Sequence, residues 1–136
     1  MRLIMQIVKA KNKRDVKPGA MSATLRCLQV FELLAEEPFE LSVSDIAKSL
    51  SMPRPSVYRL CKTLVEGGFV EYIPAYKRYR LTSKSLWVGF AYLRHSAIYR
   101  AAFFSMQALA KEIPGVVTLG VLSEGEVMFV HSAGVL

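Results

Sequence analysis

A ten-residue stretch near the middle of the chain is rich in side chains that bind polyanions. Its cations, hydroxyls and phenol are Arg54, Ser56, Tyr58, Arg59, Lys62 and Thr63. Arginine can bond both acceptors on one guanine edge, and hydroxyl groups reach phosphate or base edges. If these side chains share one exposed surface, they suit a groove of duplex nucleic acid. The alternative is an ordinary surface helix, whose outer face is polar without having a partner.

The flanks of this stretch predict a helix that begins at Pro53 and ends near Glu66. Proline suits a first turn because its missing N–H has no partner there, and Gly67–Gly68 suits a left-handed C-cap. At about 100° per residue, one face is apolar, and we expect it to pack on the preceding helices: Val57, Leu60, Cys61, Leu64 and Val65. The opposite face carries Pro55, Arg59, Lys62 and Glu66, with Ser56 and Thr63 on one flank and Tyr58 on the other.

Two further helices are predicted ahead of this one. Ser22 or Thr24 can cap a first helix, whose apolar residues recur at helical spacing until Pro38 stops it. Ser42-Val43-Ser44-Asp45 is a capping-box pattern with a carboxylate three residues after the cap, and it predicts a short second helix. Ser51-Met52 then predicts a tight turn before the third helix.

After the third helix, Phe69–Ile73 and Arg78–Leu81 are short β-type runs around Pro74–Lys77, and together they predict a hairpin. Strand alternation places Arg78 and Arg80 on one face. A tip carrying Lys77 and Arg78 could reach a phosphate backbone or a minor groove, and the alternative is a plain solvated hairpin. Helix, helix, turn, helix and hairpin is the order of a winged helix-turn-helix.

The candidate DNA-binding residues fall on the second helix, the third helix and the hairpin tip. They are Ser42, Ser44, Arg54, Ser56, Tyr58, Arg59, Lys62, Thr63, Lys77 and Arg78. We expect Arg59, midway along the exposed face, to contact a base. Arg54, Ser56 and Tyr58 lie near the N-terminal end, where the second helix of a helix-turn-helix usually enters the major groove.

The charge distribution fits a polyanionic partner. The 136-residue chain has a formal net charge of +7 and a pI near 9.6, which favours nucleic acid or an anionic membrane surface. Residues 48–80 carry seven basic and two acidic side chains, whereas residues 32–45 carry five acidic and no basic ones. Residues 1–20 carry six basic groups and one acidic group, and we expect a flexible basic N-terminal arm. An alternative is that translation begins at Met21.

The second half of the chain predicts two more helices and two strands. Ser83 can cap a helix that contains Trp87 and Phe90, and a further helix covers roughly residues 98–113. Two strands, Val116–Leu122 and Glu126–Val130, follow.

From Ser22 onward the sequence resembles the IclR family of bacterial transcriptional regulators. The resemblance is carried by Leu41–Ala47, Met52–Leu60, Gly68–Glu71 and Arg78–Leu81, with Leu119–Leu122 and Gly125–Val127 further along. It implies operator DNA binding as dimers or dimer pairs through the N-terminal domain. It also implies a linker helix and a larger domain that senses a small molecule.

With this resemblance, the predicted fold is mainly α with a small β-wing. It comprises the arm at 1–20, a winged helix-turn-helix at 21–82, linker helices including one at 83–95, and an incomplete β-hairpin in a truncated start of the effector-binding domain at 96–136. We expect no small-molecule effector site in a chain of this length.

Three residues depart from the family pattern. Pro55 stands where the family usually has serine, and Ser51 and Lys77 stand where it usually has glycine at the turn and at the wing tip. A lysine at the tip can change the turn type.

Other chemistries find little support in the sequence. Cys27 and Cys61 are far apart without a CxxC motif and are interpreted as small buried hydrophobes. His95 is expected on the linker helix and His131 at a strand end, in structural roles, and we predict no enzyme activity, metal or cofactor. No apolar run approaches a membrane span or a signal peptide, so we expect a cytoplasmic protein with no membrane partner.

The leading hypothesis is a homodimer, or a higher homo-oligomer, that binds double-stranded operator DNA. The alternative is a remnant that no longer binds DNA and acts as a heterodimerisation module, motivated by Pro55 and by the missing effector domain.

Overall fold

The computed structural model describes residues 22–36, 38–123 and 125–135, so the predicted N-terminal arm at 1–20 lies outside the described residues. The described chain forms two compact units, one over residues 22–88 and the other over residues 89–135. None of the described helices combines the length and apolar character needed to cross a bilayer.

The first unit begins with three helices, α1 (Ala23–Leu33), α2 (Val43–Ser49) and α3 (Arg54–Glu66). Of the two candidate caps for α1, the structure uses Ser22, whose hydroxyl oxygen accepts from the N–H of Leu25 at 3.3 Å. The helix ends at Leu33, before Pro38, so proline is not what stops it.

The apolar face of α3 forms the core of this unit with α1 and α2. Buried residues in the cluster are Val30, Leu34, Leu41, Ile46, Val57, Cys61, Leu64, Val70 and Tyr79. Leu60 packs against the cluster while partly buried. The prediction that Val65 belongs to this core is wrong, because its side chain is 36% exposed at the flank of α3. Both cysteines are free thiols; Cys61 is buried as predicted, whereas the prediction that Cys27 is buried is wrong, because it is only partly buried at the edge of the cluster.

The wing is an antiparallel hairpin of β1 (Val70–Ile73) and β2 (Arg78–Leu81). The left-handed φ of +77° at Gly68 turns the chain from α3 into β1. At the other edge of β2, Leu41 and Tyr79 exchange two backbone hydrogen bonds, at 3.1 Å and 2.8 Å. Leu41 therefore forms a single antiparallel bridge to β2, which connects the wing to the segment before α2.

Helix α4 (Ser83–His95) follows the wing and continues from the first unit into the second. The prediction that Ser83 caps it is wrong, because Ser83 is already helical and the N–H of Lys84 donates to the hydroxyl oxygen of Thr82 at 3.3 Å. None of its residues is buried.

The second unit contains α5 (Ala97–Glu112) packed on an antiparallel hairpin of β3 (Gly115–Ser123) and β4 (Glu126–Val135). The strands are longer than predicted, since pairing continues to Gly115 and Val135. His131 lies within β4 rather than at a strand end. Its ring packs on the rings of Tyr99 and Phe103, with centroids 5.4 Å and 5.2 Å away.

Candidate DNA-binding surface

The ten candidate residues all lie in the first unit, on α2 or its N-cap, on α3 and on the wing. Ser44, Arg54, Tyr58, Arg59, Lys62, Thr63 and Lys77 are exposed, whereas Ser42, Ser56 and Arg78 are partly buried. The structure thus places most of the predicted residues in contact with solvent. Several of them, however, form hydrogen bonds or ion pairs within the chain.

Helix α3 presents an outer strip of polar side chains. Arg59, Lys62 and Glu66 are exposed on the side away from the core, and Pro55 is exposed in the first turn of the same helix. Lys62 Nζ lies 3.9 Å from Glu66 Oε1, with both side chains 66% exposed. A pair this exposed stabilises little, so it leaves Lys62 available to another anion.

The N-terminus of α3 favours an anion. Pro53 is its N-cap without a side-chain cap hydrogen bond, and the first turn contains no acidic residue. The positive end of the helix dipole is therefore not neutralised locally. Thr63 donates its hydroxyl proton to the carbonyl oxygen of Arg59 at 3.1 Å, which leaves the hydroxyl oxygen of Thr63 as an acceptor for a donor on a partner.

Ser42 forms the predicted capping box with Asp45. Its hydroxyl oxygen accepts from the N–H of Asp45 at 3.2 Å, and its O–H donates to Asp45 Oδ2 at 2.7 Å. Asp45 Oδ2 also accepts from the N–H of Ser42 at 2.9 Å. The two hydrogen bonds that Ser42 donates to the carboxylate hold the pKa of Asp45 below its usual value, and the one from the hydroxyl has the larger effect. The hydroxyl of Ser42 is thus occupied within the chain.

The two wing arginines are held by the protein itself. Arg78 donates from Nη1 to the carbonyl oxygen of Glu40 at 2.8 Å. Arg80 donates from Nε to Glu71 Oε1 at 2.6 Å and from Nη1 to Glu40 Oε1 at 3.3 Å. The hydrogen bond to Glu71, followed by its charge, raises the pKa of Arg80. Both arginines share the outer face of the hairpin, as strand alternation predicted.

At the wing tip, Lys77 is exposed and has a left-handed φ of +52°. Its side chain makes no hydrogen bond or ion pair with another described residue. Ser51, at the turn before α3, has a φ of +51°. Both positions where the family usually has glycine therefore have a left-handed φ in this chain, although neither residue is a glycine.

An open groove runs between α3 and the wing, with a volume of about 530 Å³. It is lined by Ser42, Val43, Ser44, Tyr58, Lys62, Val65, Tyr72, Lys77 and Tyr79. Five of these residues are among the ten candidates predicted from the sequence. The other four, Val43, Val65, Tyr72 and Tyr79, were not predicted. Strand alternation was the available signal, because Tyr72 and Tyr79 are cross-strand partners with ring centroids 4.9 Å apart.

These features define the first unit as a winged helix-turn-helix, the predicted fold. Residues 23–74 match the IclR helix-turn-helix domain. The resemblance to the IclR family is therefore confirmed for this domain: residues 23–74 form an IclR helix-turn-helix domain.

Curated relatives of similar sequence are transcriptional regulators. The chain is 26% identical over 117 residues to the HTH-type transcriptional regulator KdgR of Escherichia coli, which covers 86% of this chain and 44% of that protein. It is 34% identical over 106 residues to the glycerol operon regulatory protein of Streptomyces coelicolor, covering 78% and 42% respectively. The chain spans less than half the length of these two relatives.

Solved structures share the fold. Pseudomonas aeruginosa HmgR matches with a TM-score of 0.71 at 22% identity, covering 84% of this chain and 49% of that one. An IclR family transcriptional regulator from Brucella abortus matches with a TM-score of 0.70 at 23% identity, covering 95% and 48%. At this level of identity the likeness establishes the architecture and nothing more specific.

Proposed function

We propose that this chain acts as a transcriptional regulator that binds operator DNA sequence-specifically through α3 and the wing. The observation that carries the proposal is the exposed outer strip of α3, in which Arg59 is solvent-facing beside an N-terminus without a negative charge. The IclR helix-turn-helix match over residues 23–74 supports DNA as the partner.

Within this proposal, Arg59 reads a base and Arg54 contacts the duplex where α3 enters the major groove. The named relatives are regulators rather than enzymes, which supports a role without catalysis. We further propose that the regulator acts in the cytoplasm, where it has access to the chromosome. The relatives named above are regulators and this chain has a helix-turn-helix match, which favours DNA binding over the alternative of a heterodimerisation module that has lost it.

The proposal also includes the assembly and the remaining domains. We propose binding as a homodimer or higher homo-oligomer, since a two-fold operator requires two copies of α3. Residues 83–95 would then be the linker helix, and residues 96–136 the first part of an effector-binding domain. A footprint with two half-sites about one helical turn apart would support this assembly, and a single unsymmetrical half-site would contradict it.

The decisive test measures binding to the DNA upstream of the chain's own gene, together with an unrelated duplex of equal length. Fluorescence anisotropy with wild type, Arg59→Ala and Arg59→Lys reports the affinity for each. We expect Arg59→Ala to lose about 1–3 kcal/mol on the operator and much less on unrelated DNA. Arg59→Lys should restore affinity for the operator only in part, because lysine cannot bond a guanine edge in the same planar geometry.

Arg94→Ala, an exposed arginine on α4, is the matched control and should leave both affinities unchanged. Equal binding of wild type and Arg59→Ala to the operator, or no preference of wild type for the operator, would refute the proposal.

A further inference from the structure

The C-terminal end of α3 is fastened to the start of α4 by hydrogen bonds. Helix α3 ends at Glu66, and backbone carbonyl groups at the end of a helix have no partner within that helix. Here the three consecutive carbonyl groups of Gly67, Gly68 and Phe69 all accept hydrogen bonds from residues within 82–85. We call this contact the α3–α4 joint.

The joint contains donors from three residues. Lys84 donates from Nζ to the carbonyl oxygen of Gly67 at 2.7 Å. Thr82 donates from its hydroxyl to the carbonyl oxygen of Gly68 at 2.6 Å, and from its backbone N–H to that of Phe69 at 2.9 Å. The hydroxyl of Ser85 donates to the same oxygen of Phe69 at 3.3 Å. The first turn of α4 therefore cannot rotate relative to α3 without breaking several of these hydrogen bonds.

Lys84 also supplies a charge that α3 lacks. The last turn of α3 contains no basic residue, although the negative end of a helix dipole favours a cation. The stem of Lys84 passes over Gly68, where an added Cβ would lie 3.6 Å from Lys84 Cδ. Its Nζ lies 4.6 Å from the centroid of the Phe69 ring, which is within the range of a cation–π interaction. Phe69 in turn meets Phe31 of α1 edge to face, with centroids 5.7 Å apart.

The orientation of α3 matters for the proposed function because hydrogen bonds to base edges have strict geometry. A side chain that reads a base must be held in place by the elements that support its helix. The apolar face of α3 is held by the core, and the joint holds its C-terminal end. Lys84 thus acts on α3 through the protein, since its ammonium group points to Gly67.

We propose that Lys84 is a positioning residue for operator recognition, and that the α3–α4 joint couples the orientation of α3 to the first turn of α4. The inference rests on the proposed DNA-binding function and adds that α4 responds when α3 binds the operator. Coupling between two sites is reciprocal. A change in the joint therefore alters operator affinity, and operator binding alters the surroundings of α4.

The first test measures affinity for the operator and for an unrelated duplex. Lys84→Met removes the ammonium group but keeps most of the stem, and Thr82→Val removes a hydroxyl without changing the net charge. Each should lower operator affinity by about two- to thirtyfold, the range for residues coupled to a site that they do not touch, and lower the affinity for unrelated DNA much less. Lys84→Arg keeps a cationic donor and should retain most of the affinity. Lys111→Met, which changes an exposed lysine on α5, is the matched control and should bind as wild type does.

A salt series separates the joint from a direct phosphate contact. Lys84→Met should keep the wild-type slope of log K against log salt, whereas a lost phosphate contact would lower that slope by about 0.9. Urea unfolding of each variant identifies a temperature at which all of them are folded.

The second test uses Trp87, the only tryptophan of the chain. Trp87 lies on α4 one turn after Lys84, and its side chain is 65% exposed. Its fluorescence should change when wild type is saturated with operator, and it should change less in Lys84→Met and Thr82→Val. A role of Lys84 in stability alone would leave the change at saturation intact.

The inference would be overturned by wild-type operator affinity in both Lys84→Met and Thr82→Val, or by a reduced salt slope in Lys84→Met. It would also be overturned if operator binding left Trp87 fluorescence unchanged in wild type, or changed it equally in wild type and the two variants. All of these results would leave the proposed function intact. Absence of operator binding by wild type would overturn both.

Discussion

Replacing Ser42 with alanine should weaken α2 without removing a DNA contact. The hydroxyl of Ser42 makes two of the three hydrogen bonds in the capping box, and both are to Asp45. Helix α2 has only seven residues, which is too short to be stable without its cap and its packing. Its position matters because the buried side chain of Ile46 joins α2 to the core that carries α3.

The expected loss follows from the two hydrogen bonds that disappear. An N-cap serine replaced by alanine costs about 1 kcal/mol, within a range of about 0.5–2 kcal/mol. The carboxylate of Asp45 also loses its short bond from the hydroxyl but keeps that from the backbone N–H of Ser42. We therefore expect the free energy of unfolding to fall by about 1–2 kcal/mol. Ser42→Thr keeps a hydroxyl at the same position and should recover most of it.

The pH dependence gives an independent check. The pKa of Asp45 is lowered in the folded chain, mainly by the hydroxyl of Ser42, so its contribution to stability is present above the unfolded value, about 3.9. That contribution is lost as the pH falls through the lower, folded pKa. The difference between wild type and Ser42→Ala should accordingly be largest near neutral pH and should shrink in acid.

Urea unfolding followed by circular dichroism measures this difference, with Ser44→Ala as the matched control. Ser44 is exposed, and its hydroxyl makes no hydrogen bond with another described residue, so Ser44→Ala should keep the wild-type midpoint within a few tenths of a kcal/mol. DNA affinity at low temperature should fall for Ser44→Ala and stay near wild type for Ser42→Ala. The reasoning is refuted if Ser42→Ala unfolds at the wild-type urea concentration, or if the difference grows in acid.

Three further predictions concern the core, the thiols and the wing. Ile46→Ala, at a fully buried position, should cost about 2–5 kcal/mol in the same urea assay, and a loss below about 1 kcal/mol would contradict its place in the core. Burial raises the pKa of Cys61 to about 12, so mass spectrometry after alkylation at neutral pH should find Cys27 labelled first, and equal rates would count against this burial. Arg78→Ala should lower stability by about 1 kcal/mol through its lost bond to Glu40 and leave the salt slope of DNA binding unchanged; a slope reduced by about 0.9 would instead make it a phosphate contact.

The parts of the fold that were predicted correctly depend on local signals. The capping box at Ser42 and the two strands of the wing match the structure closely. In each case the decisive groups lie within a few residues of one another: a carboxylate three residues after a serine, or glycines directly after a helix. Helix α3 also begins and ends where Pro53 and Gly67 predicted.

The predictions from the sequence are wrong where residues distant in sequence determine the length of a strand or the burial of a side chain. β4 runs on to Val135 because β3 supplies backbone partners as far back as Gly115, and nothing near Val130 carries that information. Val65 fits the apolar face of α3 on a helical wheel, yet it lines the open groove between α3 and the wing, where it is exposed. The periodicity of a helix shows on which face a side chain lies, but it does not show how far the neighbouring elements cover that face.

The same limit applies to the candidate site, as the three arginines Arg59, Arg78 and Arg80 illustrate. Counting basic residues treats them as equivalent, but Arg78 and Arg80 are both bonded to Glu40, which is 38 and 40 positions away in sequence.

The acidic segment before α2 therefore has a structural role. Its residue Glu40 supplies the carbonyl and carboxylate oxygens that bond the two wing arginines. Because Glu40 engages Arg78 and Arg80, Lys77 is the exposed cation of the hairpin tip whose side chain has no hydrogen bond or ion pair with another described residue. Under the proposed function, the basic charge of residues 48–80 therefore overstates the number of expected DNA contacts, because Arg78 and Arg80 are bonded within the chain.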